Sequence, residues 1–214
     1  MVSKYKKTEI GAIPVEWDVT SLSDAFQNLE AGVSVNSDER ENADFFVLKT
    51  SAISDGLINL DEAKPVVKRE YARLKCPVKK GSIIISRMNT PQLVGACGYV
   101  TEDAKGYFLP DRLWQVVNSK QEKYDFRWLN YLLNQHRYKN AIRAVATGTS
   151  NSMKNISKER LLEIRIPRLS IEEQKIIVEA ISDIETLIYD LEKLIKKKRN
   201  IFTCLLYTSD AADD

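Results

Sequence analysis

From Ile177 the apolar residues of this chain step by three and four through Ala180, Ile184, Leu187, Leu191 and Leu194, then Ile201 and Leu205, with Lys198 the one polar residue on the row. That is the heptad spacing by which a helix presents a seam to a partner helix. A second row, Ile181, Ile188, Ile195 and Phe202, repeats every seven residues beside it. The stripe is therefore wider than an isolated two-stranded seam and needs partners. Ser170 and Glu173 stand at capping-box spacing at its start, and Pro167 disfavours an earlier beginning. A helix over 171 to 206 extends about 50 Å at 1.5 Å per residue, more than the width of a small domain, so it is expected to project. The ordinary alternative, packing along its own domain, is opposed by the length and the sustained heptads.

The rest of the 214 residues reads as one globular domain, because 43% apolar and 29% charged residues argue against disorder. No stretch is apolar enough to cross a membrane, and MVSKYKKTEIG has basic residues with no apolar segment behind them. Three well-separated cysteines, Cys76, Cys97 and Cys204, fit a reducing cytoplasm. Short strands are expected at 45–50 and 57–60 around an Asp55-Gly56 turn, then at 65–67, 82–86, 94–100 and 113–118. A single helix is expected from an Asp125 N-cap to about residue 145, burying Trp128, Leu129, Leu132 and Leu133. A loop at 147–155 and a short helical turn at ERLLEI precede Pro167. The fold class is α+β: a mixed, β-rich globular domain followed by one long projecting coiled-coil helix.

The net charge of +2 conceals an asymmetry. Residues 1–170 carry 26 Lys and Arg against 20 Asp and Glu, whereas 171–214 carry 6 against 10. Lys64 to Arg87 holds eight basic residues and one acid, and Arg137 to Arg168 eight and two. Both segments could face a polyphosphate, although a basic run is more often a solvated surface. Catalytic patterns are missing: His136 is the only histidine, and there is no C-x-x-C pair and no glycine-rich phosphate loop. A nuclease could be assembled from Asp111, Glu173 and Lys175, but the capping box already accounts for Glu173. Asp111-Arg112 reads better as a local charge pair or as an arginine placed for DNA.

Base edges are read by Arg or Lys on guanine and by Asn or Gln on adenine. The segment after 82–86 offers Arg87, Asn89, Thr90 and Gln92 within six residues, against the plain reading of a polar hairpin tip. Gly148, Thr149, Ser150, Asn151, Ser152, Lys154 and Asn155 make a donor-rich loop suited to phosphate, or else a simple linker. Lys49, Lys68, Arg73, Lys79 and Lys80 widen the positive field, and Arg112 adds to it. Trp17 and Trp114 read as core anchors rather than stacking platforms.

GAIPVEW (11–17), KKGSIIISR (79–87), LPDRLWQV (109–116) and TGTSNSMKNISKERLLEIRIPRLSIEEQKIIVEAI (147–181), in this order over about 195 residues, resemble the specificity subunit of type I restriction-modification systems. The resemblance implies a DNA target recognition domain over 1–168, which reads one half of a bipartite site in double-stranded DNA. It also implies a dimerisation or spacer helix over 169–206. No cofactor is expected on this chain. S-adenosylmethionine, ATP and Mg²⁺ belong to the expected partners, adenine methyltransferase subunits and a restriction motor subunit. Family members usually carry two recognition domains and two helices, so one of each resembles a half subunit or a truncated one, and a homodimer through Ile177, Ala180, Ile184, Leu187, Leu191, Leu194 and Ile201 would restore the pair. The last residues, 207–214, resemble non-native or frameshifted sequence. Alternatives are a non-functional truncated fragment or a stand-alone coiled-coil DNA-binding regulator.

Overall fold

A computed structural model describes residues 4–40, 42–54, 56–117, 123–148 and 152–210, with 204–210 as backbone only. The chain divides into two compact units, residues 1–174 and 175–214.

The sequence Ile-Ile-Ile-Ser has almost nothing to offer water, and as β9 (Ile83–Ser86) it is buried along its whole length at the centre of a six-stranded sheet. Its antiparallel neighbours are β13 (Leu113–Val116) and β11 (Cys97–Tyr99). Beyond β13 lies β4 (Leu29–Ala31); beyond β11 lie β7 (Leu57–Ile58), parallel to it, and then β6 (Ile53–Ser54). Successive strand residues face opposite sides. Ile84 accordingly joins Leu48, Leu109 and Leu113 in one core cluster, while Ile85 stands opposite Cys97 on the other face. There the Cys97 thiol meets Asn134 at the end of α2 (Phe126–Asn134), which packs on β11. The buried amide of Gln115 in β13 is fully engaged, accepting from Lys79 N–H and Ser82 Oγ and donating to the Pro77 carbonyl.

A three-stranded sheet places β5 (Phe46–Leu48) between β12 (Tyr107–Phe108) and β8 (Ala63–Pro65). The Asp55-Gly56 turn lies between β6 and β7 rather than pairing 45–50 with 57–60; Asp55 itself is outside the described residues, and Gly56 has φ +80°. Three two-stranded ladders complete the first unit: β1 (Tyr5–Thr8) with β2 (Gly11–Pro14), β3 (Asp18–Ser21) with β15 (Arg165–Arg168), and β10 (Met88–Asn89) with β14 (Lys154–Asn155). Two short helices, α1 (Leu22–Ala25) and α4 (Lys158–Leu162), pack together.

Asp125 caps α2 as its position predicts, accepting from Arg127 N–H and Trp128 N–H, and Trp128, Leu129, Leu132 and Leu133 are buried. The expected single helix is in fact two. Gln135 is extended (φ −63°, ψ 142°), and α3 (His136–Ala144) restarts after it. The reason is a slip in the apolar phase: a continuous helix would bring His136, Arg137 and Asn140 beneath Leu133, whereas the residues that α3 buries are Tyr138 and Ile142. His136 is exposed, with Asn140 as its neighbour.

The capping box forms as expected at the start of α5 (Ile171–Asp210): Ser170 N–H donates to Glu173 Oε2 at 3.1 Å, and Glu173 N–H to Ser170 Oγ at 3.2 Å. Trp17 is a correction. It is only half-buried, and its indole N–H donates to Glu173 Oε1 at 3.1 Å, so it secures this cap instead of anchoring the core. Trp114, at 2% exposure, is a core residue. The α5 backbone runs four residues past Leu206, through a sequence with no Pro or Gly to interrupt its hydrogen bonds. Ile184, Leu187, Ile188, Leu191, Leu194, Ile195, Ile201 and Phe202 are each 48–64% exposed, and the second unit contains no other described element that could cover them.

Candidate nucleic-acid interface

The end of β9 organises the polar loops of the first unit. Arg87 follows the buried Ser86 and is clamped through both backbone groups: its N–H donates to Arg112 O at 3.0 Å, and its carbonyl accepts from Ile156 N–H at 2.9 Å. The first bond joins it to the start of β13, the second to the end of β14. Chain segments distant in sequence thus converge on one residue.

Beyond Arg87, Met88 pairs with Asn155 and Asn89 with Lys154 across β10 and β14. Thr147 and Asn155 exchange two backbone bonds of 2.8 Å, closing the loop between them. Ser150, with Thr149 and Asn151, lies outside the described residues. Asn89 is locally engaged, since its Oδ1 accepts from Thr90 N–H at 2.8 Å and its Nδ2 donates to Ser86 Oγ at 3.2 Å. Thr90 and Gln92 are exposed on the following turn, where the Thr90 carbonyl accepts from Leu93 and Val94 N–H and the Gln92 carbonyl from Arg143. Lys154 Nζ donates to the Gly148 carbonyl at 2.8 Å.

Arg112 is exposed beside Arg87 and lines a shallow depression of about 320 Å³ with Lys49, Thr50 and Lys64. None of the ion pairs among the described residues joins Asp111 to Arg112. Lys49 lies 3.7 Å from Glu62, whose carboxyl is held below its ordinary range by the Ser51 hydroxyl and then by Lys49. An exposed pair of this kind contributes little and yields readily to a competing anion.

Lys49, Arg87, Asn89, Thr90, Gln92, Arg112, Lys154 and Asn155 therefore belong to one set of adjoining loops. Lys80 does not. It precedes β9 whereas Arg87 follows it, roughly 15 Å away along the strand, and it lines a separate hollow with Tyr99, Asp125 and Arg127. Lys79 is paired with Glu30 at 3.0 Å and Arg73 with Glu70, so these two cations are partly neutralised.

Three placements go beyond the sequence reading, which marks Lys64 and Arg143 only as members of basic segments and Trp114 only as a core anchor. The Arg87 guanidinium lies over the face of Trp114, 5.4 Å from the ring centroid; Lys64 joins Lys49; and Arg143 reaches the Gln92 carbonyl from α3. Each depends on pairing between distant segments, for which no local pattern exists. Among the described residues, no cluster of three or more His, Cys, Asp or Glu side chains could hold a metal ion, and no helix is long and apolar enough to cross a membrane.

Residues 14–200 match the protein family described as type I restriction modification DNA specificity domain. The type I restriction enzyme MjaVIII specificity subunit of Methanocaldococcus jannaschii is 28% identical over 211 residues, covering 94% of this chain and 48% of that protein. Among solved structures, the S subunit of a type I restriction-modification system from M. genitalium superposes with a TM-score of 0.55 at 20% identity, over 94% of this chain and 46% of its own. The HsdS subunit from Thermoanaerobacter tengcongensis gives 0.55 at 19%, over 89% and 42%. At such identities the likeness is one of fold, a mixed sheet domain with a long C-terminal helix. The chain spans about half the length of the curated relatives it matches.

Proposed function

Because the chain belongs to the type I restriction-modification DNA specificity domain family, we propose that it acts as a non-catalytic DNA-recognition unit, reading one half of a bipartite site in double-stranded DNA. The observation that carries this reading is the ladder between β10 and β14, which pairs Met88 with Asn155 and Asn89 with Lys154, next to Arg87, whose backbone bonds to Ile156 and Arg112. Base-reading side chains and phosphate-binding cations then share one end of the fold, as an interface that both positions and specifies requires.

The second unit supports the assembly half of the proposal. The exposed seam of α5 would pair with the same helix of a second copy and dock adenine methyltransferase subunits, through which a restriction motor subunit is recruited. S-adenosylmethionine, ATP and Mg²⁺ would be held by those partners, in the cytoplasm. Two experiments test the reading. The purified chain, mixed with duplexes randomised over their central base pairs, should enrich one half-site, and co-expression with an adenine methyltransferase subunit should yield a stable complex. Absence of any enriched sequence would sink the recognition role, whereas enrichment without complex formation would remove only the docking role.

A further inference from the structure

Of the three half-buried cations in these loops, only Arg87 has a side chain with no hydrogen-bond or ion-pair partner among the described residues. Lys49 has Glu62 and Lys154 has the Gly148 carbonyl. The guanidinium of Arg87 is nevertheless held in place. Its backbone is bonded on both sides, and its Cζ lies over the face of Trp114, a residue only 2% exposed, 5.4 Å from the ring centroid.

A second observation points to the same spot. The buried side-chain polar atoms lacking a partner among the described residues are Arg87 Nε, Trp114 Nε1 and Asn155 Oδ1. They occur on the arginine, on the ring beneath it, and on the residue facing Met88 across the ladder. Folded proteins leave few buried donors and acceptors unpaired, and three on adjoining residues mark a place organised for something other than stability.

We infer that Arg87 reads a guanine in the major groove, with Trp114 as the positioning residue that holds its guanidinium in place. This rests on the DNA-reading role proposed above and assigns one base contact within it. Bidentate donation to guanine O6 and N7 needs a planar fork held in place, which the cation–π contact with Trp114 and the double backbone clamp favour. A phosphate contact has no such requirement and suits the exposed Arg112 and Lys64 better. Asn89, its two amide ends bonded to Ser86 and Thr90, shapes the loop through which Arg87 approaches.

The test compares the full chain with Arg87→Lys and Trp114→Phe, each checked for folding by circular dichroism and thermal melting. The probe is the half-site that the wild-type chain enriches from the randomised library, together with its single-base variants and an unrelated duplex. Arg87→Lys keeps the charge but loses the fork. It should lower the preference for guanine at one position by roughly 10- to 100-fold, with affinity for the unrelated duplex nearly unchanged. Trp114→Phe should reduce the same preference partially and leave the other positions alone, a base-specific effect that mere loosening of the core would not produce. Retained guanine preference in Arg87→Lys, or an equal loss on every duplex, would overturn the inference while leaving DNA recognition standing. A wild-type chain that enriches no sequence would overturn both. If Trp114→Phe fails to fold, the Arg87 comparison decides alone.

Discussion

Gly95 sits where two requirements meet, since its φ is +78° and a Cβ built on it would lie 2.2 Å from Ile142 Cγ2 and 3.4 Å from Ile156 Cδ1. Both isoleucines are 1% exposed and have nowhere to retreat. The left-handed conformation costs an L-residue about 1–2 kcal/mol, and overpacking adds about 1–3 kcal/mol. Gly95→Ala should therefore destabilise the first unit by about 2–5 kcal/mol in urea unfolding, and a loss below about 1 kcal/mol would mean that the turn and α3 separate easily. Glu173 makes a different residue-scale prediction. Its carboxyl is held below its ordinary range, first by the Trp17 indole N–H and then by the Ser170 hydroxyl and backbone N–H. A carboxyl depressed in the folded state adds stability that is present above its unfolded pKa, about 4.3, and is lost as pH falls through the lower folded value. Glu173→Gln should thus flatten the fall in stability between about pH 5 and pH 3 relative to wild type. Parallel pH profiles for the two proteins would show that the cap does not depend on this charge.

Among the elements, what could be read ahead of the structure follows from how local its cause is. The helical path of α5, the Ser170–Glu173 box and the Asp125 cap are decided within a few residues, and all three form. The break at Gln135 is also written in the sequence, as a stripe passing from Leu133 to Tyr138 instead of Leu133 to Arg137, but two adjoining amphipathic segments give the same local signal as one long helix. Strands such as β3 and β15 were missed for another reason: Asp18–Ser21 and Arg165–Arg168 are short and only partly apolar, and each is made a strand by the other. The same limit divides the candidate site. Arg87, Asn89, Lys154 and Asn155 were recognisable by residue type, whereas the Trp114 ring under Arg87 and the separation of Lys80 from the rest depend on strand register. At this scale the testable element is α5. Leu187 is 60% exposed and Leu191 50%, so Leu187→Asp with Leu191→Asp should leave the fold of the first unit intact, yet burying two carboxylates in any paired seam would cost several kcal/mol. Light scattering should find wild-type dimers and mutant monomers with unchanged circular dichroism of the sheet domain. A double mutant with wild-type mass would exclude this face from self-association.

For the whole molecule, the two units differ in charge as well as in form. Residues 1–174 carry 26 Lys and Arg against 22 Asp and Glu, and 175–214 carry 6 against 8, so the charge balance favours an anionic partner on the first unit. Lys49, Lys64, Arg112 and Lys154 are the cations near Arg87 best suited to phosphate. Each phosphate neutralised releases counterions and contributes about −0.9 to the slope of log affinity against log salt, so four contacts predict a slope of about −3 to −4 for one sheet domain. The proposed pairing through α5 would join two such domains, converting the second binding event into an intramolecular one and doubling the number of phosphates engaged. The wild-type chain on a duplex carrying two half-sites should therefore show a slope near −7, while the Leu187→Asp, Leu191→Asp variant on the same duplex should fall back to about half of that. Arg112→Ala should reduce the wild-type slope by about 2, one contact per copy, with no change in which half-site is preferred. Fluorescence anisotropy over a salt series measures all three slopes. Equal slopes for wild type and the helix variant would mean that each chain engages DNA alone whatever its helix does, whereas a slope near zero would remove phosphate contact from the interface.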